Sequence, residues 1–228
     1  MSMTARAAGP AAAGPAAGAP FCAEDHRLER RSQVVFEHDG EPGQREAELV
    51  HVRLSPRASG RRQVAALHER LAQATFGLLF VNAGVTNGPG ETVADVSTDT
   101  FVHLMVTNAL SPMRVVETLQ DLVAPNGTIA VMSLGQGSVA NNDKGGFEVY
   151  RASKSALNQL MRSFAARHAG DPRTLLLMAP GWVQTGLGGP AARLTTGQSI
   201  PGVADTIEAQ AAKGGLQYLD YQGQTVPW

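Results

Sequence analysis

The 228-residue chain contains a single cysteine, Cys22, and no apolar run that approaches the ~20 residues needed to cross a bilayer. One thiol cannot form an intramolecular disulfide, and no cysteine and histidine cluster has the spacing of zinc ligands. Residues 1–21 are small rather than strongly apolar, so they make a poor secretory signal. We therefore expect a cytoplasmic protein with no membrane segment and no metal site.

The chain also lacks an excess of either charge and has few aromatic residues. Lys and Arg number 19 against 20 Asp and Glu, the formal net charge is -1, and aromatic residues make up 5% of the chain. This composition does not attract a polyanion, so nucleic acid is not an expected partner, and a nucleic-acid or flavin-binding domain finds little support. A hydrophobic fraction of 43% allows one sizeable core and favours a small-molecule ligand.

The composition changes near residue 62. Before it, Ala, Gly, Pro, Arg and Glu dominate, and only residues 32–38 and 47–55 have the pattern of short strands. We therefore divide the chain into an atypical, low-complexity N-terminal segment, residues 1–62, which is expected to be partly disordered, and a regular domain, residues 63–228.

The regular domain alternates helical and strand patterns, which predicts a doubly wound parallel sheet with helices on both faces, an α/β fold. In the longest helix Ser97 is the expected N-cap, Pro112 the expected kink and residues 125–128 the expected end. The glycine-rich residues 181–201 are expected to form a functional loop. Hydrophobic spacing predicts helices over 62–74, 97–124, 148–169 and 203–214, and strands over 76–84, 128–133, 173–181 and within 215–228.

Tyr150 and Lys154 lie four residues apart in the helix predicted over 148–169, so they share one helix face. Taken alone, such a pair is common on ordinary protein surfaces. A free phenol titrates near pH ~10, so proton transfer at neutral pH needs a nearby positive charge to stabilise the phenolate. Lys154 can supply that charge, which makes the pair a candidate acid-base couple.

Four more motifs surround the pair in a fixed order: NAG at 82–84, NALSP at 108–112, VMS at 131–133 and PGWVQT at 180–185. Together with YRASKSALN, this order resembles the short-chain dehydrogenase/reductase family. The Pro-Trp tail is similar to that of its small carbonyl reductase and C-factor-like subgroup. The resemblance covers about residues 63–228 and implies a Rossmann-like fold.

The resemblance implies an oxidoreductase that interconverts a small carbonyl compound and its alcohol by hydride transfer with NAD(P). In the family the tyrosine, here Tyr150, protonates the substrate carbonyl or acts as the base in the reverse direction. Lys154 would also bind the nicotinamide ribose hydroxyls, and Asn108 would hold a water in a proton relay.

Two of the motifs are expected at the cofactor. By resemblance, the backbone of Asn82, Ala83 and Gly84 packs under the adenine-side ribose. The turn that begins at Pro180 and Gly181 would offer backbone groups of Val183 to the carboxamide and place Thr185 near the phosphates. Small residues allow the backbone to approach a dinucleotide closely.

The serine of the family's site departs from the pattern. Relatives in this subgroup carry Ser-Ser at the end of the strand, and the second serine hydrogen-bonds the reacting oxygen, whereas this chain has Ser133 followed by Leu134. A donor is thus missing where oxyanion-type stabilisation is expected. Ser133 is the first candidate to replace it, and Ser138 is the second. Leucine at this position predicts slow or altered carbonyl reduction.

The family's glycine-rich turn, which binds the pyrophosphate through backbone amides, is absent from the sequence. The nearest substitute, residues 9–18, has the wrong spacing and contains Pro10 and Pro15, which have no N–H to donate. The first strand and its glycine loop are therefore degenerate or missing, and the choice between NAD and NADP stays open. Residues 1 to about 62 are either the product of a shifted reading frame or a divergent segment that has lost dinucleotide binding.

Two functions remain open at this stage: the NAD(P)-dependent oxidoreductase, and a catalytically impaired homologue that acts as a binding or interaction module. Relatives commonly form dimers or tetramers through two long helices, which correspond here to residues 97–124 and 148–169, so a homodimer or homotetramer is expected. Four apolar positions of the second helix can serve either the core or such an interface: Leu157, Leu160, Met161 and Phe164.

Overall fold

The structure is a computed structural model that describes residues 32–38 and 48–54 as strands and residues 60–88 and 90–228 in full. The predictions for Cys22 and for the glycine-loop region fall outside these described residues.

One six-stranded sheet, in the order β2-β1-β3-β4-β5-β6, organises the described chain. Neighbouring strands from β3 to β6 are all parallel, which confirms the parallel sheet predicted for the regular domain. The strands are β1 Ser32–His38, β2 Glu48–Leu54, β3 Phe76–Asn82, β4 Val123–Met132, β5 Thr174–Ala179 and β6 Gly215–Asp220.

Both early strand predictions are confirmed, but these two strands run antiparallel. β1 pairs with β2 as a hairpin and also pairs antiparallel with β3. The sheet is therefore a parallel four-stranded α/β unit extended by an antiparallel pair. In the described residues no parallel strand lies on that side of β3, where a doubly wound sheet would continue in the parallel sense.

Helices cover both faces of the parallel strands, as predicted. Successive strand residues point to opposite faces. Ile129 and Val131 therefore pack in the larger core with helices α1, α3 and α4, while Ala130 and Met132 pack in a second core with α5. The helices are α1 Arg61–Leu71, α2 Thr98–Met105, α3 Ser111–Leu119, α4 Glu148–Arg167 and α5 Thr196–Ala209.

The segment predicted as one long helix over 97–124 is divided. Ser97 caps α2 as expected, accepting a hydrogen bond from the Thr100 N–H, but a π-helical turn, Val106–Leu110, separates α2 from α3. Pro112 is the second residue of α3 and follows helical backbone without a break. Its ring excludes the usual hydrogen bond to the carbonyl four residues earlier, that of Asn108, so the π-helical turn lies where the proline is expected to distort the helix.

The predicted end of that helix at residues 125–128 is wrong. A short 3-10 turn, Gln120–Leu122, closes the helical segment, and residues 125–128 already belong to β4. Phe76 pairs with Val123 and Leu78 pairs with Thr128. Between these two pairs β4 has more residues than β3, so the extra residues of β4 form an irregular turn within the strand. The Pro-Asn-Gly sequence fits that turn.

The last helix begins earlier than predicted, at Thr196 rather than 203. Thr195 and Gln198 form a capping box, in which the Thr195 hydroxyl accepts from the Gln198 N–H and the Gln198 side chain accepts from the Thr195 N–H. Pro201 lies inside this helix, and a proline in that position is normally a signal against helix. The residues expected to form a loop therefore supply the first two turns of α5.

The four apolar positions of α4 are divided between the core and the surface. Leu157, Met161 and Phe164 are fully buried, whereas Leu160 is 41% exposed. Only Leu160 of this set remains available to a partner. No described helix is both long and apolar enough to cross a membrane.

A glycine in the irregular part of β4 should be intolerant of any side chain. A Cβ at Gly127 would lie 2.8 Å from the Gly77 carbonyl oxygen and 2.7 Å from Val123 Cγ1. We expect Gly127→Ala to lower the free energy of unfolding by about 1–3 kcal/mol, measured by urea denaturation. Gly186→Ala, where a Cβ meets nothing within 4 Å, is the matched control. Equal stability of the two variants would contradict this packing.

Candidate active site

Lys154 is the most constrained polar residue of the candidate site. It lies on α4, is 2% exposed, and its Nζ donates to the carbonyl oxygens of Ala83 at 3.0 Å and Met132 at 3.1 Å. These two carbonyls stand at the carboxyl ends of the neighbouring parallel strands β3 and β4. The lysine therefore joins α4 to the edge of the sheet where ligands of open α/β proteins bind.

Burial lowers the pKa of Lys154 from its ordinary value of 10.5 to about 8. The ammonium is thus still the dominant form at neutral pH, although it is easier to deprotonate than in water. An ammonium has three protons to donate, and two of them go to the strand carbonyls. In the described chain no residue accepts the third proton, which leaves it for a ligand.

Tyr150, one helical turn earlier, lies in an apolar environment. It is 3% exposed and forms a cluster with Val85, Leu104 and Val149. Its ring meets that of Phe147 edge-on, with 6.3 Å between centroids and 64° between planes. Further apolar side chains pack against the cluster while remaining partly buried: Val96, Leu134, Phe147 and Leu187.

This environment acts on the phenol in the opposite direction from the one expected from the sequence. Burial raises the pKa of Tyr150 above its ordinary value of 10.0, because an apolar shell disfavours the phenolate. The Lys154 ammonium is hydrogen-bonded to the strand carbonyls rather than to the phenol. The neutral phenol is therefore the stable form of Tyr150.

Asn108 is placed by the π-helical turn and is completely buried. Its side chain donates to the Val85 carbonyl at 2.9 Å and accepts from the Val85 N–H at 2.8 Å, as a neighbouring strand would. It also donates to Ser153 Oγ at 2.8 Å, and Ser153 Oγ donates to the Tyr150 carbonyl at 2.7 Å. The side chain is thus committed to protein partners and positions both the loop after β3 and the start of α4.

Ser133 is also committed elsewhere. Its Oγ donates to Asn158 Oδ1 at 2.6 Å, and the Asn158 amide donates to the Gly137 carbonyl at 3.1 Å. Ser133 is fully buried. Its hydroxyl therefore attaches the end of β4 to α4 and has no proton left for a reacting oxygen.

Leu134 packs against the Tyr150 cluster, so an alkyl group stands where the family's pattern has a hydroxyl. Ser138, five residues after Ser133, is 1% exposed and its Oγ accepts from the Asn141 N–H at 3.1 Å. None of the described residues accepts the Ser138 hydroxyl proton. Of the two candidate serines, only Ser138 retains a proton to donate.

The NAG motif lies directly under Lys154. Asn82 ends β3, the Ala83 carbonyl is the one that Lys154 binds, and a Cβ on Gly84 would lie 3.7 Å from Lys154 Nζ. Glycine at this position therefore leaves the ammonium without a side chain over it. The structure brings this predicted cofactor motif together with Lys154 of the predicted Tyr-Lys pair.

The PGWVQT turn follows β5 at the same edge of the sheet. The Pro180 carbonyl accepts from Ser199 Oγ at 2.6 Å, which ties the turn to α5. Gly181 has a φ of 79°, and a Cβ there would lie 2.7 Å from Leu194 Cδ1. Both the backbone conformation and the close approach require glycine at this position.

Residues 182–194 form an ordered turn rather than an open loop. Val183 forms a parallel bridge with Leu194, and the Thr185 hydroxyl accepts from the N–H groups of Leu187 at 3.3 Å and Gly188 at 3.0 Å. The N–H of Val183 points away from the bridge, and no acceptor for it exists in the part of the chain that the structure describes. That N–H is therefore available to a ligand.

The backbone just before α4 is strained. Phe147, the residue that precedes the helix, has a φ of 51°, and Gly145 and Gly146 before it have φ values of 63° and 71°. A left-handed conformation is costly for phenylalanine and persists where its surroundings hold it. Here it places the Phe147 ring against Tyr150, an arrangement that the sequence does not signal.

Sequence reasoning also missed Asn158, Ser153 and Tyr218. Asn158 follows Lys154 by one helical turn, so its shared face could have been noticed. Tyr218 lies on β6 and its hydroxyl donates to the Leu134 carbonyl, a contact across 84 residues that no local pattern contains. Over the described residues no group of three or more His, Cys, Asp or Glu side chains could hold a metal ion.

A parallel α/β sheet with a helix-borne Tyr-Lys pair at the carboxyl ends of its strands is the arrangement of an α/β oxidoreductase. The family profile described as short chain dehydrogenase matches residues 11–193, which is most of the chain. The chain belongs to the short-chain dehydrogenase/reductase family, and the resemblance found in the sequence is confirmed. The matched range begins inside the N-terminal segment that composition sets apart.

Three relatives illustrate the similarity. C-signal from Myxococcus xanthus is 34% identical over 153 residues, 66% of this chain and 92% of that protein. A Burkholderia multivorans protein assigned to the short-chain dehydrogenases/reductases and solved with bound NADP is 58% identical, with a TM-score of 0.73 over 75% of this chain and 74% of that one. A Pseudomonas aeruginosa PAO1 carbonyl reductase in complex with NADP is 32% identical, with a TM-score of 0.68 over 74% of each chain.

The lowered pKa of Lys154 predicts a pH-dependent contribution to stability. The folded-state pKa is about 8 and the ordinary value is 10.5, so between these pH values the unfolded chain binds more protons. The buried charge therefore destabilises the fold below pH 8, and this cost disappears as the pH rises toward 10.5. From pH 7 to pH 10 the wild type should gain about 2–3 kcal/mol of unfolding free energy relative to Lys154→Met.

Urea denaturation at both pH values measures this difference. Lys213→Met controls for the removal of an exposed lysine. If the stability difference between wild type and Lys154→Met is the same at pH 7 and pH 10, the lysine is not titrating in a buried site.

Proposed function

We propose that the protein is an NAD(P)-dependent reductase of small carbonyl compounds, with Tyr150 as the proton donor and Lys154 as the charge that assists it. The observation that carries this proposal is the buried ammonium of Lys154. It is bonded to the carbonyl ends of β3 and β4, one helical turn from a tyrosine whose pKa is raised by its apolar shell. A small-molecule substrate in the cytoplasm fits the composition.

The residues at this edge of the sheet fit a dinucleotide. Lys154 Nζ has a third proton to donate and lies beside Gly84, which carries no side chain. The Val183 N–H is available on the turn after β5. We propose that Lys154 binds the ribose hydroxyls and that the Val183 N–H donates to the carboxamide. The backbone of Asn82 and Ala83 would lie beside the adenine-side ribose. Solved relatives with bound NADP support dinucleotide binding in general.

Pro180, Gly181 and Thr185 complete the proposed cofactor side. Their role is to shape the turn, because the Pro180 carbonyl, the Gly181 conformation and the Thr185 hydroxyl are each used to hold it. The Thr185 hydroxyl accepts two N–H groups and keeps its own proton, which it can donate to a phosphate oxygen.

The reaction needs a hydride and a proton, and the chain supplies the proton. A bound reduced nicotinamide would supply the hydride to the carbonyl carbon. Tyr150, neutral because burial raises its pKa, donates its phenolic proton to the carbonyl oxygen, which gives the alcohol. Lys154, still protonated near pH 7, stabilises the phenolate that remains until it is reprotonated.

The pH should decide which direction Tyr150 can assist. At neutral pH the phenol is neutral and can act as an acid, whereas the reverse reaction requires the phenolate as a base. Because burial raises the pKa of Tyr150, we propose that alcohol oxidation requires alkaline pH, while carbonyl reduction proceeds at neutral pH. Asn108 acts as a positioning residue, because its side chain is bonded to Val85 and Ser153.

We propose Ser138 as the hydroxyl donor that takes the place of the serine missing at Leu134. Ser133 donates its proton to Asn158, whereas the Ser138 proton has no acceptor within the described chain. The rival function, a binding or interaction module without catalysis, is favoured by Leu134, since an alkyl group packs on the Tyr150 cluster where a donor is expected.

Self-association is proposed through the faces of α2, the π-helical turn and α4 that carry exposed apolar side chains. A homodimer or homotetramer would cover four apolar side chains that are 39–50% exposed. The positions are Phe101, Val102, Leu110 and Leu160.

Loss of the Tyr150 hydroxyl should separate binding from turnover. We expect Tyr150→Phe to lower kcat for NADPH- or NADH-dependent carbonyl reduction by roughly 10²–10⁴-fold, because the proton donor is removed. Its cofactor affinity, followed by nicotinamide fluorescence and thermal shift, should stay within about twofold of the wild type, since the phenol is placed for the substrate. Tyr221→Phe is the control for removing a hydroxyl elsewhere.

Titration of the wild type with NADPH or NADH also distinguishes the reductase from the interaction module. Saturable NADPH or NADH binding together with carbonyl turnover supports the reductase. A wild-type chain that binds neither cofactor at millimolar concentration would refute the reductase and leave the interaction module.

The two serines should differ in what they support. Ser138→Ala is expected to lower kcat by about 10²-fold, because it removes an oxyanion-type donor. It should lower stability less than Ser133→Ala, because the Asn141 N–H that loses its acceptor belongs to an exposed residue. Ser133→Ala leaves Asn158 Oδ1 without its donor and should lower the free energy of unfolding by about 1–3 kcal/mol. Steady-state kinetics and urea denaturation measure both effects. A larger loss of kcat in Ser133→Ala than in Ser138→Ala would reverse the assignment.

A further inference from the structure

Residues 134–140, here called the 134–140 segment, connect β4 to the region before α4 and carry both Leu134 and Ser138. The segment has few contacts of its own. Inside it, the Gly137 N–H donates to the Leu134 carbonyl at 2.9 Å and the Ser138 N–H to the Gly135 carbonyl at 3.2 Å. From α4, Asn158 and Ser155 both donate to the Gly137 carbonyl.

Two further contacts come from the far end of the chain. Tyr218 on β6 is 1% exposed, and its hydroxyl donates to the Leu134 carbonyl. Burial raises the pKa of Tyr218, so its hydroxyl keeps the proton that this hydrogen bond needs. Leu134 thus has its carbonyl held from one side while its side chain packs on the Tyr150 cluster.

Trp228 holds the opposite end of the segment. Its carbonyl accepts from the Ala140 N–H at 3.0 Å, and its ring lies 5.6 Å from that of Tyr218. The Val226 N–H donates to the Tyr218 carbonyl at 2.8 Å, which keeps the tail beside β6. The Arg162 guanidinium on α4 covers the Trp228 ring at 4.7 Å from its centroid.

We propose that Tyr218 and Trp228 are positioning residues of the active site: they hold the two ends of the 134–140 segment and so set where Leu134 and Ser138 stand relative to Tyr150. The inference rests on the proposed reductase for its kinetic consequence, but the held segment itself does not depend on catalysis. The Tyr218 hydroxyl bonds a loop carbonyl beyond the end of β4, so its removal changes the loop more than the sheet.

Hydrogen exchange of the backbone amides tests whether Tyr218 and Trp228 hold the 134–140 segment. In Tyr218→Phe we expect amide exchange in the 134–140 segment to accelerate by roughly three- to tenfold, because the hydrogen bond to the Leu134 carbonyl is lost. In Trp228→Ala we expect a similar acceleration, because the ring contacts with Tyr218 and Arg162 that hold the accepting backbone carbonyl in place are lost. Exchange in β5, a core strand, should be unchanged. This measurement needs neither cofactor nor substrate, so its result stands even where the proposed function fails.

The kinetic consequence is specific to the substrate side. In both variants kcat/KM for the carbonyl compound should fall by roughly three- to tenfold, whereas the NADPH dissociation constant should stay the same. Trp228→Phe keeps a ring beside Tyr218 and should restore most of the loss. A general loss of folding would instead weaken cofactor binding and substrate use together.

Two arginines of α4 provide a matched pair of controls. Arg162 covers the Trp228 ring, and Arg167 lies 5.8 Å from the centroid of the Phe164 ring, away from the 134–140 segment. Arg162→Gln should accelerate exchange in the segment, and Arg167→Gln should not. The inference is overturned if exchange in the segment is unchanged in Tyr218→Phe and Trp228→Ala, or if Arg167→Gln accelerates it as much as Arg162→Gln does.

If the wild type has no carbonyl reductase activity, the proposed function is contradicted, but the contacts of Tyr218 and Trp228 with the 134–140 segment are not. Accelerated exchange in the variants of such a chain would still support the held segment. An active wild type whose variants keep full kcat/KM and unchanged exchange would refute the positioning role while leaving the reductase in place.

Discussion

The buried ammonium of Lys154 is the interaction on which the site depends. Removing a charge from water is costly, and here the cost is offset by hydrogen bonds to the Ala83 and Met132 carbonyls. Those carbonyls meet only because β3 and β4 are adjacent and parallel, which places their carboxyl ends at one edge. α4 must also pack there for the side chain to reach them. The position of the ammonium therefore depends on both the sheet and the helix.

Lys154 and Tyr150, which lie one helical turn apart on α4, have different environments. Lys154 faces backbone oxygens and keeps its charge near neutral pH, although burial lowers its pKa to about 8. Tyr150 faces Val85, Leu104 and partly buried apolar side chains, and burial raises its pKa. In the proposed reductase, a neutral phenol near a cation would be suited to protonating an oxygen that gains negative charge. Leu134 packs against the same apolar cluster.

Irregular backbone holds the residues of the candidate site in place. The π-helical turn turns Asn108 toward the loop after β3, the left-handed Phe147 brings a ring against Tyr150, and the turn after β5 depends on the positive φ of Gly181. Each of these features is unfavourable locally and is stabilised by hydrogen bonds or packing from another element. Polar side chains that look catalytic in the sequence, such as those of Asn108 and Ser133, are used for this purpose. Within the same motifs, some polar side chains are thus used to hold the backbone, whereas Tyr150 and the third proton of Lys154 are left for the proposed chemistry.

The sequence by itself determined the order of strands and helices after residue 62, the Tyr150 and Lys154 pair and the family, because hydrophobic periods and motif spacing are local properties of the chain. It misplaced the end of the long helix and the start of α5, because the glycine-rich residues 181–201 were assigned to a loop. Only the tertiary structure decided which groups the site residues bond. The partners of Lys154 lie 71 and 22 residues away, and Tyr218 reaches the Leu134 carbonyl across 84 residues. Such contacts depend on which strands become neighbours in the sheet, and no spacing along the chain encodes that.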